Sequence, residues 1–342
     1  MLVGTYTNSG KSEGIYAMEF SNKGKLLSQK LLAKTDNPSY LAFSPDKKCV
    51  YAVNETGTES TISAFAFDKE KETLTFVNKV NVCGGDPCFV SCTEKHVFTA
   101  NYSGGSISVF GRNPDGSLTD TLEVIRHTGK NFGRGKFGPS NVHQVMFSPD
   151  GKYLIVTNLG TDRVFSYAYI PEGGNEVLKY ASQIMVKKHS GPRHTVFSKD
   201  GKYLYLVQEL DASVTAFSVG DEGKLTIIQE TTLVTDNTKK NGAADIHLSP
   251  DGNYLYATNR GEANNISCFQ VKKDGRLVMQ EQYSTNGNGP RNFTITPDGK
   301  FVFVGNQRTD NITVFSRNIR NGKLKMLDEK VERGAPVCLQ LY

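Results

Sequence analysis

One unit returns about every fifty residues, and that return constrains the fold more than any other feature of the chain. It reads Pro-Ser-Tyr-Leu-Ala-Phe-Ser-Pro-Asp at 38–46 and Val-His-Gln-Val-Met-Phe-Ser-Pro-Asp-Gly at 142–151. It comes back at 192–201, 245–252 and 290–299, with a weaker copy at 87–94. The turn residues Ser44, Thr93, Ser148, Ser198, Ser249 and Thr296 are spaced 49, 55, 50, 51 and 47 apart. A fixed period of this size is the mark of a repeat architecture, in which neighbouring units share a core. The 342 residues are therefore expected to form one domain over 1–342, although length alone suggests two or three.

Each unit carries four strand-like runs. In the third they are 142–148, 152–158, 163–169 and 178–186, rich in β-branched and aromatic residues. Pro-Asp-Gly closes the first pair as a tight hairpin. A second turn, ending Gly-x-Leu, recurs at Gly24, Gly116, Gly223, Gly275 and Gly322. Four antiparallel strands repeated radially make an all-β propeller. Six internal units are visible. The chain opens on a second-strand equivalent, 2–7, and closes on a lone first-strand equivalent, 336–342. The two ends are expected to share a seventh blade, which removes an exposed edge. No tryptophan is present, so the Trp-Asp signature of one large propeller class is absent.

Composition excludes several classes of function. The net charge of +5 is mild and no block of like charge exists, so nucleic acid is not an expected partner. No apolar run is long enough to span a bilayer. The chain enters a strand at Leu2 with no visible signal peptide, and its six cysteines form no dense disulfide framework. These features point to a cytoplasmic protein, a monomer or weak homo-oligomer, with no membrane contact and no cofactor.

Propeller connectivity sorts the residues by face. The Pro-Asp-Gly and Gly-x-Leu turns share one face. First-strand starts and second-strand ends converge on the other, at one mouth. The starts offer His143, Arg193, His194, Asp245, Arg291 and Asn292. The ends offer Asn54-Glu55, Asn101-Tyr102, Asn158, Gln208-Glu209, Asn259-Arg260 and Asn306-Gln307. Most of the Asn residues are read as ordinary turn chemistry. Arg193, Glu209 and Arg260 are not explained that way, because charge gathered round a funnel is costly unless paired or used. Two long crossings reach the same mouth. One is 126–141 with His127, Lys130, Arg134 and Lys136, and the other is 231–243 with Lys239 and Lys240. Their basic character points to a small anionic ligand, a carboxylate or a phosphate.

Several motifs, in order, carry a resemblance: Val-Gly-Thr-Tyr-Thr at 3–7, Asn-Tyr-Ser-Gly-Gly-Ser-Ile-Ser-Val-Phe at 101–110, Gly-Pro-Arg-His at 191–194, Ala-Asp-Ile-His-Leu-Ser-Pro-Asp-Gly at 244–252 and Asn259-Arg260. Across essentially the whole chain the sequence resembles the seven-bladed lactonase family. That family includes the propeller-type 6-phosphogluconolactonases and the fungal carboxy-cis,cis-muconate cyclases. The resemblance implies hydrolysis of a sugar lactone, with 6-phosphogluconolactone and the pentose phosphate pathway foremost. The cyclase branch implies a His, two Arg and a Glu in the mouth, which fall by motif position on His143, Arg193, Arg260 and Glu209. Glu209 or His143 would serve as base or acid. Arg193 and Arg260 would hold anion and oxyanion. His194, Asp245, Arg291 and Asn101 are the expected substrate-binding residues.

Rival readings are weaker. His143, His194, His247 and Glu209 are metal-ligand types, but His247 lies three residues deeper in its strand than His194. Cys83, Cys88, Cys92 and His96 have loosely ligand-like spacing, yet two of the thiols lie within a strand. Gly133 to Gly138 fits Gly-x-Gly-x-x-Gly without the strand-to-helix context a dinucleotide site needs. No Gly-x-Ser-x-Gly elbow is present, which disfavours a covalent serine hydrolase. The alternatives from other classes are a non-catalytic propeller that binds carbohydrate or protein, and a muconate-type cycloisomerase.

Overall fold

A computed structural model describes residues 1–127 and 140–342. It is a seven-bladed β-propeller, each blade a sheet built on four antiparallel strands. The six internal units begin their innermost strands at Leu41, Pro87, Val142, Pro192, Ala243 and Pro290. In the last of these blades the outermost strand is broken into Leu324–Met326 and Val331–Glu332. The third internal unit runs Val142–Phe147, Tyr153–Asn158, Arg163–Tyr169 and Leu178–Met185, within one residue of the runs read from sequence.

Burial along each strand follows from its radius. A second strand such as Cys49–Asn54 is buried at every position, because neighbouring blades cover both its faces. An outermost strand such as Leu225–Thr232 buries only its first residue. The repeated turn explains itself in atomic terms. Ser148 Oγ donates to Asp150 Oδ1 at 2.6 Å and accepts from the Tyr153 amide at 3.0 Å, so one hydroxyl locks the hairpin. Gly151 then takes a left-handed φ of 71°, which only glycine adopts without cost. Blades are bracketed together on this face. Arg317 Nε donates to Tyr256 Oη at 2.8 Å and its Nη2 pairs with Asp251 at 3.2 Å, while Tyr256 Oη donates to the Gly322 carbonyl at 2.6 Å. Arg112, Tyr51, Asp46 and Gly116 repeat this bracket.

The closure matches the sequence reading. Pro336–Gln340 pairs with Leu2–Thr5, placing Leu2 opposite Gln340 and Val3 opposite Leu339. The terminal Tyr342 continues onto the next blade. Its ring packs against Phe43 and Phe67 and its hydroxyl donates to Glu72 at 2.6 Å.

Candidate active site

The mouth is built by a defect repeated from blade to blade. Where an innermost strand enters the ladder, its register slips by one residue. Pro192 faces Gln208 but His194 faces Val207, which leaves Arg193 extra. The same slip leaves Cys88, His143, Arg291 and Val337 unpaired at the corresponding points. Such a bulge re-aims the extra side chain, here toward the channel mouth.

The second strands contribute by parity. Their last residues, Asn54, Asn101, Asn158, Gln208, Asn259 and Asn306, turn inward and bond to neighbouring loops and strands. Asn101 is typical: its Nδ2 donates to Ser106 and Ser108 and its Oδ1 accepts from Thr99. The residue after each one, and Tyr6 after Thr5 in the shared blade, ends its strand with a shared contact. The amides of Tyr6, Glu55, Tyr102, Leu159, Glu209, Arg260 and Gln307 each donate to a carbonyl of the incoming crossing. These seven residues form a ring above the bulge.

The two sets meet at Glu209. Its Oε2 accepts from Arg193 Nε at 2.9 Å and pairs with Arg260 Nη2 at 2.9 Å. Arg260 is anchored by Nε to the Gly242 carbonyl at 2.8 Å. Arg193, only 1% exposed, is anchored by Nη1 to the Ala244 carbonyl. Arg291 lies over the Tyr6 ring at 5.3 Å, and Tyr6 donates to Glu55 at 2.7 Å. His143 is buried, edge-on to His194 at 5.1 Å and to Tyr102 at 5.6 Å, and its Nδ1 has no partner among the described residues.

The electrostatics follow from this crowding. Burial pushes the Glu209 carboxyl up, but Arg260, Arg193 and Arg291 outweigh it and hold the group ionised. Burial pulls the Arg260 guanidinium down to about 10, reinforced by Arg193 and Arg291 and opposed by Glu209. Burial, then the charge of Arg193, keeps His143 neutral well below its usual range. Three guanidiniums face two carboxylates, Glu209 and Glu55, so the mouth carries an excess of one positive charge.

Below the mouth, a second circle of side chains stitches the innermost strands. Gln144 Oε1 accepts the Thr195 amide at 2.6 Å, Asp245 Oδ2 the Phe293 amide at 3.1 Å, and Asn292 Oδ1 the Leu339 amide at 2.7 Å. Asp245 also accepts from His194 Nδ1 at 2.8 Å, from His247 Nε2 at 3.0 Å and from Asn292 Nδ2 at 2.6 Å. A cavity of about 10 Å³, the size for one water, lies between Arg193, His194, Arg291 and Cys88. A larger one of about 570 Å³ opens on the same face over Tyr6 and Glu55, with Lys11 and Arg308 set against Asp86 and Asp310 in its lining, and with Arg193, Glu209 and Arg260 outside it. That volume suits a sugar-sized ligand. Another of about 780 Å³ lies at the broken outermost strand around Leu327 to Arg333 and gathers no comparable buried charge.

Of the expected site residues, His143, Arg193, Glu209, Arg260 and Arg291 come together. Asn101 does not join them, because its amide is consumed inside its own blade. Asp245 is 1% exposed with both oxygens occupied, so it offers a substrate nothing. His194 lies beneath Arg193 rather than in the opening, with Nε2 at 3.3 Å from Arg193 Nη1. Lys130, Arg134 and Lys136 lie outside the described residues, as does the 133–138 glycine pattern, and Lys239 is exposed and pairs with Asp236 of its own loop. His127 is buried against Tyr167 and Asn158. Glu55 and Tyr102 belong to the mouth, where the sequence placed them without a role, and Tyr6 joins them from the shared blade, where the sequence did not place it. Among the described residues no group of three or more His, Cys, Asp or Glu is arranged to hold a metal ion. All six cysteines are free, and no helix is long and apolar enough to cross a membrane.

Comparison with known proteins agrees with this architecture. Residues 1–341 match the family described as Lactonase, 7-bladed beta-propeller. The chain belongs to that family. It is 34% identical to the 6-phosphogluconolactonase of Bacillus subtilis, over 99% of this chain and 97% of the relative. The solved structure of a Bacteroides fragilis protein superposes with a TM-score of 0.93 at 41% identity, covering 99% of this chain and 96% of that one. The periplasmic gluconolactonase of Pseudomonas aeruginosa superposes with a TM-score of 0.93 at 36% identity, covering 98% and 96%.

Proposed function

We propose that the protein hydrolyses a sugar lactone, with 6-phosphogluconolactone the leading substrate and the pentose phosphate pathway its setting. The observation that carries this reading is a carboxylate, Glu209, held ionised between Arg193 and Arg260 where the bulged first strands and the second-strand ends meet. Its Oε1 has no protein partner among the described residues, so it can accept a hydrogen bond from a water. As that water attacks the ester carbonyl, negative charge builds on the carbonyl oxygen. Arg193 and Arg260 can turn donors toward it. As the guanidinium charge is drawn toward the oxyanion its hold on Glu209 weakens, which raises the carboxylate's proton affinity as it takes the water's proton. Collapse of the tetrahedral intermediate then breaks the ring C–O bond, and the proton on Glu209 passes to the departing ring oxygen, which leaves as the hydroxyl of the open acid. His143, kept neutral by burial and by the surrounding cations, can donate or accept a hydrogen bond but is poorly placed to carry a proton charge. The excess positive charge matches the carboxylate product and a phosphate alike.

The free thiols agree with a reducing cytoplasm, and we place the protein there as a monomer or weak homo-oligomer of one propeller domain. The test is a panel of sugar lactones with and without phosphate, measured as rate above spontaneous hydrolysis. Glu209→Gln and Arg260→Ala are each expected to lower that rate by about a hundredfold or more. Wild-type rates equal to background across the panel would overturn the enzyme reading in favour of a binding platform.

A further inference from the structure

Arg193 is aimed by groups that take no part in the chemistry itself. Its guanidinium is gripped on three sides: Nε by Glu209, Nη1 by the Ala244 carbonyl and by His194 Nε2 at 3.3 Å. A guanidinium can only donate, so His194 Nε2 must present a lone pair. Its proton then sits on Nδ1, and that nitrogen faces Asp245 Oδ1 at 2.8 Å. Asp245 is itself pinned by the Ile246 and Phe293 amides, by His247 and by Asn292. Asn292 in turn holds the Leu339 amide of the closing strand at 2.7 Å. The chain of contacts is therefore continuous from the C-terminal strand through Asn292, Asp245 and His194 to Arg193 and Glu209.

We infer that Asp245 is a positioning residue: it fixes the His194 tautomer that holds Arg193, and so leaves the Arg193 Nη2 amine turned to the substrate. The inference rests on the lactonase reading for the reaction it serves, but not for the wiring. Among the described residues Nη2 has no protein partner, whereas Nε and Nη1 are both spent. With a neutral amide in place of Asp245, the proton on His194 can move to Nε2. Two donors would then face each other across the 3.3 Å gap. Arg193 would be pushed off its place, and a misplacement of about 1 Å can cost on the order of a hundredfold in rate.

Two measurements test this. The first is the imidazole nitrogen spectrum of the wild type, with His194 assigned by its loss in His194→Gln. The expected result is a neutral ring with the proton on Nδ1. A proton on Nε2 would overturn the inference. The second is a double-mutant cycle on lactone hydrolysis with Asp245→Asn and His194→Gln. Asp245→Asn alone is expected to lower kcat by at least about tenfold with KM changed by less than about threefold. In the His194→Gln background the same change should add less than about twofold. Multiplicative losses would show that Asp245 does not act through His194 and would overturn the inference. An inactive wild type would sink the lactonase reading, while the nitrogen spectrum would still decide whether Asp245 sets the ring that holds Arg193.

Discussion

Removing residues 336–342 should abolish cooperative folding, and the size of the effect can be worked from the closing strand. Val337 and Leu339 are each 2% exposed and Cys338 is fully buried. At about 1.5–3 kcal/mol for each large aliphatic side chain, Val337 and Leu339 together contribute about 3–6 kcal/mol. Their loss also uncovers Leu2 and Val3, both fully buried in the closed ring, for roughly the same again. A total of about 6–12 kcal/mol compares with the 5–15 kcal/mol that holds a typical domain together. The ladder to Leu2–Thr5 and the Asn292 contact to the Leu339 amide go too. Scanning calorimetry of the truncated chain should show no sharp transition, and near-ultraviolet dichroism should be lost. Leu339→Ala provides a graded version, expected to cost about 2–5 kcal/mol while keeping one transition. A truncated protein that melts at the wild-type midpoint with undiminished enthalpy would refute the closure argument.

Other outcomes follow from the site. Glu209 is held below its ordinary value of 4.5, so the rate should persist as pH falls to that value and decline only beneath it. Arg260→Gln removes a cation that favours the ionised form, so the acid limb of kcat/KM should move to higher pH. An unmoved limb would mean that Glu209 is not the titrating base. Thiol labelling should separate Cys83 from the rest. It is exposed, whereas burial pushes Cys92 and Cys338 up to about 12 and Cys268 to about 11. A disulfide reagent at pH 8 should modify one thiol rapidly, and Cys83→Ser should remove that phase; several fast thiols would contradict the packing.

The blade count was legible because each residue of the repeated turn has one local task. Ser148, Asp150 and Gly151 lock a hairpin using only each other and Tyr153, so the pattern survives wherever a hairpin is needed. The mouth was legible only as a face. Strand connectivity shows that Asn101 and Tyr102 end on the same side, but not that one points inward and the next to the channel. That depends on strand parity at the last ladder rung. The bulge was invisible, since Pro192-Arg193-His194 contains no signal for an extra residue. Without it, strict alternation would have set Arg193 facing away from His194, and their contact could not be anticipated. Asp245 was misjudged for a related reason. A carboxylate at a strand start looks available, and only the Phe293 amide and the Asn292 and His194 side chains, from neighbouring blades, show that it is spent.

The slipped register has a consequence for how such a protein changes over time. Cys88, His143, Arg193, Arg291 and Val337 occupy one backbone position in five blades, and they share no chemistry. None of them has a left-handed φ, so no residue type is barred by conformation. None faces a ladder partner, so the flanking residues keep the sheet in step whatever stands between them. The ladder and the chemistry are thus written in separate letters of the same strand, although the side chain chosen still has to pack or be paired. A lineage can exchange a thiol for an imidazole or a guanidinium here without shifting the register of the strand, and successive substrates can be met by respelling these sites together with the neighbours that pair them.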